Sequence, residues 1–169
     1  MTNNIINRVA NSKLELINLE DYYPHGKRVV LDIKDWLYEE LVLREKEFRQ
    51  QAKLFDWEQY NDCYVALTCS SNAIVPAWAY MLLSTYLAPF ANKTILGGSL
   101  DVLETSIYQD IIKALDVSPY KDKSVIIKGC TNKPIPDNAF IQLTTKLKPL
   151  VKSLMYGEAC SAVPLYKRK

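Results

Sequence analysis

One stretch near the middle of the chain constrains the fold more than any other. It runs from Cys63 to Phe90 and contains an apolar run, a thiol, a short polar turn and a longer apolar run. The first run, Tyr64 to Thr68, is rich in apolar and β-branched residues and predicts a strand that is buried on both faces in a parallel sheet. The second run has Asn72 as a candidate N-cap and Pro76 in its first turn, is apolar on all sides through Leu87 and stops at Pro89, which predicts a helix inside the protein.

The same pattern recurs twice towards the C-terminus. Short apolar runs at 93–97 and 124–128 predict two more buried strands, and a helical pattern follows each of them. The last helix is predicted to begin at Asp137, to bend at Pro149 and to continue through Leu154. Strand-then-helix units about thirty residues apart are typical of right-handed βαβ crossovers. The predicted fold is therefore an α/β three-layer sandwich with a parallel or mostly parallel central sheet.

The N-terminal third is less regular. The first ten residues predict a short helix, and strands are expected at 14–19 and at 28–33. The segment between these strands, Tyr22 to Gly26, has the composition of a turn, so the two strands are candidates for antiparallel neighbours. Residues 35–43 fit a helix and a strand equally well, and a helix is expected from Arg44 to Trp57.

Composition sets the class of protein. The chain has 169 residues, of which 49% are hydrophobic and 24% are charged, and this suits one globular domain over residues 1–169. No repeat of motif residues and no Gly- or Ser-rich linker is evident, which also favours a single domain. The net charge of +2 is too small to indicate a nucleic-acid partner.

The location is predicted from the termini and the apolar runs. The first residues lack the pattern of a signal peptide, and the longest apolar run is interrupted by Pro76 and is too short to span a bilayer. A cytoplasmic protein without a membrane partner is therefore expected. In that compartment the four cysteines, which form no Cys-x-x-Cys pair, are expected to be free thiols or metal ligands.

Three of the cysteines are predicted to lie in loops. Cys69 and Cys130 each follow a predicted parallel strand, so both belong at the carboxyl edge of the sheet, where open α/β folds place their ligand sites. Cys160 follows the last predicted helix, and the segment from Glu158 to Pro164 is expected to cross the same edge. Three thiolates with Glu158 as a fourth ligand suit zinc or an iron–sulfur cluster, with sulfur separations of about 3.5 to 7 Å.

Other candidate residues have simpler interpretations. Cys63 shares a strand face with Val65 and Leu67 and is expected to be a core residue. Gly97-Gly98-Ser99 is expected to be a tight turn in preference to an anion cradle. The acidic residues at 32, 35, 39 and 40 are expected to form a solvated face, and the only histidine, His25, lies in a Pro-His-Gly turn. Eleven tyrosines and three tryptophans are compatible with a homo-oligomer.

Several longer strings resemble a known family. They are INRVANS, DIKDWL, YVALTCSSNAIVPAWAYMLL, VIIKGC followed by PIP, and SLMYGEACSAVPLYKRK. Together they resemble a family of small uncharacterised bacterial proteins that is classed as a domain of unknown function, over nearly the whole chain. The resemblance transfers no catalytic residue. It implies a gene setting beside iron–sulfur assembly genes, and hence iron–sulfur assembly proteins as partners.

Three functional hypotheses remain open at this stage. The leading one is a metal or iron–sulfur site on Cys69, Cys130 and Cys160, in or near iron–sulfur cluster assembly. The first alternative is a non-enzymatic interaction module whose cysteines only pack. The second is a metal-free thiol enzyme, in which the following helix activates Cys69 as a nucleophile and Ser70, Ser71 and Asn72 donate hydrogen bonds.

Overall fold

The computed structural model describes residues 14–129, 132–158 and 161–169. Within them the protein is a mostly parallel α/β protein, as predicted, with seven strands and four helices. The strands are β1 (Leu14–Ile17), β2 (Arg28–Asp32), β3 (Tyr64–Thr68), β4 (Lys93–Leu96), β5 (Ser124–Ile127), β6 (Ser153–Tyr156) and β7 (Val163–Lys167). The helices are α1 (Glu45–Leu54), α2 (Ala77–Leu87), α3 (Leu100–Ala114) and α4 (Asp137–Leu147). The predicted N-terminal helix lies outside the described residues.

The chain divides into two compact units, each with its own sheet. Unit 1 comprises residues 1–23 and 108–169, and unit 2 comprises residues 24–107. The strand order is β1-β5-β6-β7 in unit 1 and β2-β3-β4 in unit 2. The prediction of one central sheet is thus corrected to two sheets. The local patterns that mark a strand do not say which other strand it pairs with.

Unit 2 is a sheet of three parallel strands, and α1 and α2 pack on one face of it. Its core joins Val65 and Leu67 of β3 to Phe48 of α1 and Leu83 of α2. Both helices pack on the same face because each right-handed crossover moves the chain one strand in the same direction. Pro89 lies just beyond the end of α2, as the sequence predicts. The predicted start is wrong, because Pro76 is the N-cap of α2, whereas Asn72 was expected to cap the helix with Pro76 in its first turn.

Unit 1 has the same plan with one more strand. Val125 and Ile127 of β5 pack with Tyr108 of α3 and Leu143 of α4. The added strand, β7, pairs antiparallel with β6.

Two sequence-based expectations about strands and helices are wrong. The two N-terminal strands are not antiparallel neighbours, since β1 pairs in parallel with β5 and β2 pairs in parallel with β3. The last helix ends at Leu147, and Ser153–Tyr156 is a strand. Pro149, which lacks an N–H group and clashes with the preceding turn, ends this helix where a bend was expected.

The two units repeat each other. Residues 60 positions apart have the same roles: the Asn92 N–H donates to Cys63 O in unit 2 (2.8 Å), and the Lys152 N–H donates to Lys123 O in unit 1 (2.7 Å). The buried positions of the helices also match, as the following pairs show: Ala79 and Ala139, Leu83 and Leu143, Leu87 and Leu147. A repeat that the sequence reading did not detect therefore organises the chain.

The first strands of the units match at a different spacing. Ile17 pairs with Ile127 in unit 1, and Leu31 pairs with Leu67 in unit 2, so these positions differ by 14 residues. The spacing changes because the chain leaves unit 1 after Tyr23, builds the whole of unit 2, and then returns to unit 1 within α3.

Candidate functional site

Cys69 lies at the carboxyl end of β3 in unit 2, where the sequence predicts it. Its side chain is half-buried and packs against the core of this unit. The Cys69 Sγ lies 3.2 Å from the Ser71 Oγ, and the same hydroxyl accepts a hydrogen bond from the Ala73 N–H. The thiol is therefore held in a short polar turn between β3 and α2.

Asp32, the last residue of β2, holds this turn in place. Its carboxylate accepts hydrogen bonds from the Ser70 N–H (3.1 Å) and the Lys34 N–H (3.0 Å). Burial acts to raise the pKa of Asp32, but the hydrogen bonds from Ser70 and Lys34 outweigh it and lower the pKa. Asp32 thus belongs to the thiol site and not to a solvated acidic face. The sequence reading missed it because only the β2–β3 pairing brings it beside Ser70.

Tyr80, in the first turn of α2, shares the electrostatic environment of the thiol. Burial raises the pKa of Tyr80, and the charges of Cys69 and Asp32 raise it further. Tyr80 is another residue that the sequence reading missed.

His25 does not lie beside Cys69. Its turn precedes the amino end of β2, and Gly26 packs against Asp62 and Tyr64 at the amino end of β3. Cys69 follows the opposite end of β3, about 13 Å away along a strand of this length. A Cys–His pair of the kind that activates thiol enzymes is therefore not formed at Cys69.

In unit 1 the carboxyl ends of β5 and β6 lie side by side. A Cβ atom added to Gly129 would lie 3.1 Å from the Gly157 Cα and 3.1 Å from the Tyr156 Cζ, so the two backbones touch at these glycines. Gly157 also has a left-handed backbone, with a φ of 119°. Cys130 follows the first glycine directly, and Glu158 follows the second.

Glu158 lies at the carboxyl edge of unit 1, as predicted, but by another route. The chain reaches it along β6, and the Ser161 N–H donates to Glu158 O (2.9 Å) where the chain turns back into β7. Within the described part of the chain, the Glu158 Oε1 is buried and has no hydrogen-bond partner. An unsatisfied buried carboxylate oxygen is costly unless a cation or a donor meets it.

Glu20 holds the loop after β5, as Asp32 holds the loop after β3. Its carboxylate accepts hydrogen bonds from the N–H groups of Asn132 and Lys133, and Lys128 Nζ lies 3.8 Å from it. The hydrogen bond from Asn132 is the main cause of a lowered Glu20 pKa. Each unit therefore uses an acidic residue at the end of its first strand or just beyond it: Asp32 fixes the loop after β3, and Glu20 fixes the loop after β5.

The predicted metal ligands are only partly described. Cys130 and Cys160 lie outside the described residues, so their prediction as ligands with Cys69 and Glu158 stays a prediction. Among the residues that are described, no three His, Cys, Asp or Glu side chains form a cluster that could hold a metal ion. Cys63 is 4% exposed and belongs to the core of unit 2, as expected.

The Gly97-Gly98-Ser99 segment is a turn that leads into α3. The Ser99 Oγ accepts a hydrogen bond from the Val102 N–H (3.4 Å), which is the usual contact of a helix N-cap. The side chain that would help to hold an anion is therefore used to begin the helix. None of the helices in the described ranges is long and apolar enough to cross a membrane.

These features define the class: an α/β protein of two repeated βαβαβ units, each with a fixed polar loop after its central strand. The chain belongs to the family described as "Protein of unknown function (DUF2480)", whose model matches residues 3–168. No curated protein and no solved structure matches the chain.

Proposed function

We propose that the protein binds a metal ion or an iron–sulfur cluster at the carboxyl edge of unit 1, with Cys130, Cys160 and Glu158 as ligands. The observation that supports this is the contact between Gly129 and Gly157, because it starts the two cysteine-bearing loops at one place. Covalent geometry keeps the Cα atom of Cys130 about 3.8 Å from that of Gly129. The two loops can therefore supply thiolates to a shared site.

Glu158 gives this proposal its second support. Its buried oxygen, which has no hydrogen-bond partner among the described residues, would gain from a cation, and both carboxylates and thiolates are zinc ligands. An iron–sulfur cluster is also held by cysteine thiolates, so Cys130 and Cys160 could serve either group. We extend the proposal to a role in or near iron–sulfur cluster assembly, in the cytoplasm and with assembly proteins as partners, which the family resemblance favours.

Metal content of the anaerobically purified protein tests the proposal. Iron or zinc should co-purify in near-stoichiometric amount, and iron in a cluster should also give visible absorption. Cys130→Ser and Cys160→Ser should each remove most of the metal, and Glu158→Gln should weaken its retention. Cys63→Ala, a change in the core of unit 2, is the control and should keep the full content. Protein that contains neither metal would contradict the proposal.

Cys69, the third predicted thiol ligand, belongs to unit 2 and is tested separately. If it is a ligand, Cys69→Ser lowers the metal content as strongly as Cys130→Ser. If Cys69 is instead the nucleophile of a thiol enzyme that uses no metal, Cys69→Ser does not change the metal content. The rate of Cys69 alkylation by iodoacetamide then stays high well below the pH at which an ordinary thiol ionises.

A further inference from the structure

Unit 2 carries an apolar groove on its surface. The groove has a volume of about 580 Å³ and lies between the segment before α1 and the loop before α2. Its apolar lining is formed by Leu41, Val42, Leu43, Ala73, Ile74, Pro76 and Trp78. Ile74 is 93% exposed, and more than half of Leu41 and of Val42 is also exposed. Contiguous exposed apolar side chains of this kind mark interaction sites in soluble proteins.

A strained hairpin forms one wall of the groove. Tyr38 and Val42 pair as an isolated antiparallel bridge, and the Leu41 N–H donates to Tyr38 O at the turn (3.1 Å). The turn residues Glu39 and Glu40 are both left-handed, with φ values of 50° and 57°. Such backbone costs energy for residues other than glycine and is concentrated at functional sites. The hairpin therefore holds Leu41 in the solvent at a cost in stability.

The repeat shows which part of the apolar lining recurs in unit 1 and which part does not. Ala73 and Trp78 match Lys133 and Asn138, whereas Pro76 matches Pro136. Trp78 also packs against the core of unit 2, so its apolar side chain has a structural role. Ile74 is 93% exposed, so packing does not account for its apolar side chain, and binding does.

The charge of unit 2 indicates what kind of partner fits. Residues 24–107 contain eleven acidic and eight basic residues, a net charge of −3, although the whole chain carries +2. Glu39 and Glu40 are exposed at the tip of the hairpin, and α2 carries no charged residue. Glu45, which also lines the groove, pairs with Arg49 on α1. A partner that combines apolar side chains with positive charge is complementary to this surface.

We propose that the groove binds a short basic segment of another protein. Apolar side chains of that segment contact Ile74, Leu41 and Trp78, and its lysine or arginine residues lie near Glu39 and Glu40. The groove belongs to unit 2, so this proposal is independent of the metal site proposed for unit 1.

Selection from a random peptide display library tests the proposal on the full chain. Peptides that the protein enriches should combine apolar residues with lysine or arginine. Their affinity should fall as salt rises from 50 to 300 mM, because the charges involved are exposed and screened. An enriched pool without basic residues, or no enrichment at all, would overturn the proposal.

Two matched substitutions locate the binding surface. Ile74→Asn should weaken binding of the selected peptides by about tenfold or more, the change expected when a central apolar contact is lost. Ile141→Asn makes the same change at a residue that is 63% exposed in unit 1, and it should leave binding unchanged. Both side chains are exposed, so circular dichroism should show that both variants stay folded. Equal binding by the two variants would overturn the proposal.

Charge reversal and oligomeric state complete the test. The double change Glu39→Lys, Glu40→Lys should weaken binding and reduce its dependence on salt. Sedimentation of the protein alone tests whether a second copy of this chain occupies the groove. If the protein self-associates and Ile74→Asn abolishes that association, the groove binds a second copy of this chain and the proposal of a separate basic partner is wrong.

Discussion

The helix after the central strand of unit 1 carries Asp137, Asn138 and Lys146, whereas the matching helix of unit 2 carries Ala77, Trp78 and Tyr86. Beneath these surfaces the two helices bury the same residues at the same positions. The comparison separates two demands on the sequence. Positions that agree between the units are those that the shared packing requires, and positions that differ serve a purpose particular to one unit.

Some positions that differ between the units also have a structural role, as Lys146 and Tyr86 show. Lys146 Nζ donates to the carbonyl oxygens of Ile112, Lys113 and Leu115 and so satisfies the end of α3. Tyr86 stacks on Trp57, with ring centroids 5.4 Å apart. Ile74 at the groove is 93% exposed, so no packing role of this kind accounts for its apolar side chain.

A buried ion pair in unit 2 gives the largest expected effect. Arg28 Nε lies 2.6 Å from Glu104 Oε1, and the side chains are 10% and 7% exposed. Arg28→Ala leaves the Glu104 carboxylate buried without this cation, so we expect a loss of about 3–5 kcal/mol in the free energy of unfolding by urea. The control is Lys123→Ala in unit 1, which breaks an exposed pair with Glu15 and should cost about 0–1 kcal/mol. Equal losses in the two variants would refute the assignment of the buried pair.

The matching leucines of the two helices test whether the units fold together. Leu83 and Leu143 are both fully buried, so each change to alanine should cost about 2–5 kcal/mol. We expect one cooperative unfolding transition in each variant, in line with a single domain over residues 1–169, because α3 contributes residues to both units.

Hydrogen exchange measures how far the effects of Leu83→Ala and Leu143→Ala extend through the chain. Under conditions of partial unfolding, each variant should lose amide protection throughout 14–129 and 132–158. If Leu83→Ala affects only 24–107 and Leu143→Ala affects only the rest, the units are separate folding domains and the single-domain prediction is wrong.

The glycine contact of unit 1 should be more sensitive than the corresponding part of unit 2. In Gly129→Ala the new methyl group meets the Gly157 backbone and the Tyr156 ring at 3.1 Å, so we expect a loss of about 1–3 kcal/mol by thermal or urea unfolding. Gly98→Ala in unit 2 is the control, since its nearest neighbour is Thr68 Oγ1 at 3.9 Å, and it should change stability by about 0.5 kcal/mol at most. If Gly129→Ala did not change the free energy of unfolding, the backbones at Gly129 and Gly157 would be able to move apart.

The smallest expected effect is on acid stability. The pKa values of Glu20 and Asp32 are lowered in the folded protein from 4.5 and 3.8, so each carboxylate stabilises the fold above these values. This stabilisation is lost as the pH falls through the lower, folded pKa. The melting temperature should therefore fall between about pH 5 and pH 3, and less steeply in Glu20→Gln and in Asp32→Asn.

Substitution of an exposed carboxylate is the control for these measurements of melting temperature against pH. Glu39→Gln changes a residue at the tip of the unit 2 hairpin and should keep the pH dependence of the unaltered protein. If Glu20→Gln and Asp32→Asn also keep it, the hydrogen bonds to the two loops do not stabilise the fold in solution.

Much of the secondary structure could be predicted from local patterns. The strand at Tyr64–Thr68 and the helix between Pro76 and Pro89 follow from apolar periodicity and from the chemistry of proline, both of which act within a few residues. The C-terminal hairpin could not be predicted in this way. Val151 and Leu154 are three residues apart and fit a helix face as well as a strand, and only pairing with β5 and β7 selects the strand.

By itself the sequence determined that the protein is α/β, that Cys69 follows a buried strand and that Cys63 is a core residue. Each of these depends on neighbours in the chain. Tertiary structure alone decided that there are two sheets, that Asp32 holds the Cys69 turn and that Gly129 touches Gly157. The repeat was missed although Asn72, Pro76 and Pro89 recur 60 residues later as Asn132, Pro136 and Pro149, because its first strands match at a different spacing from the rest. Strand pairing depends on contacts between residues far apart in the chain, and no local pattern carries that information.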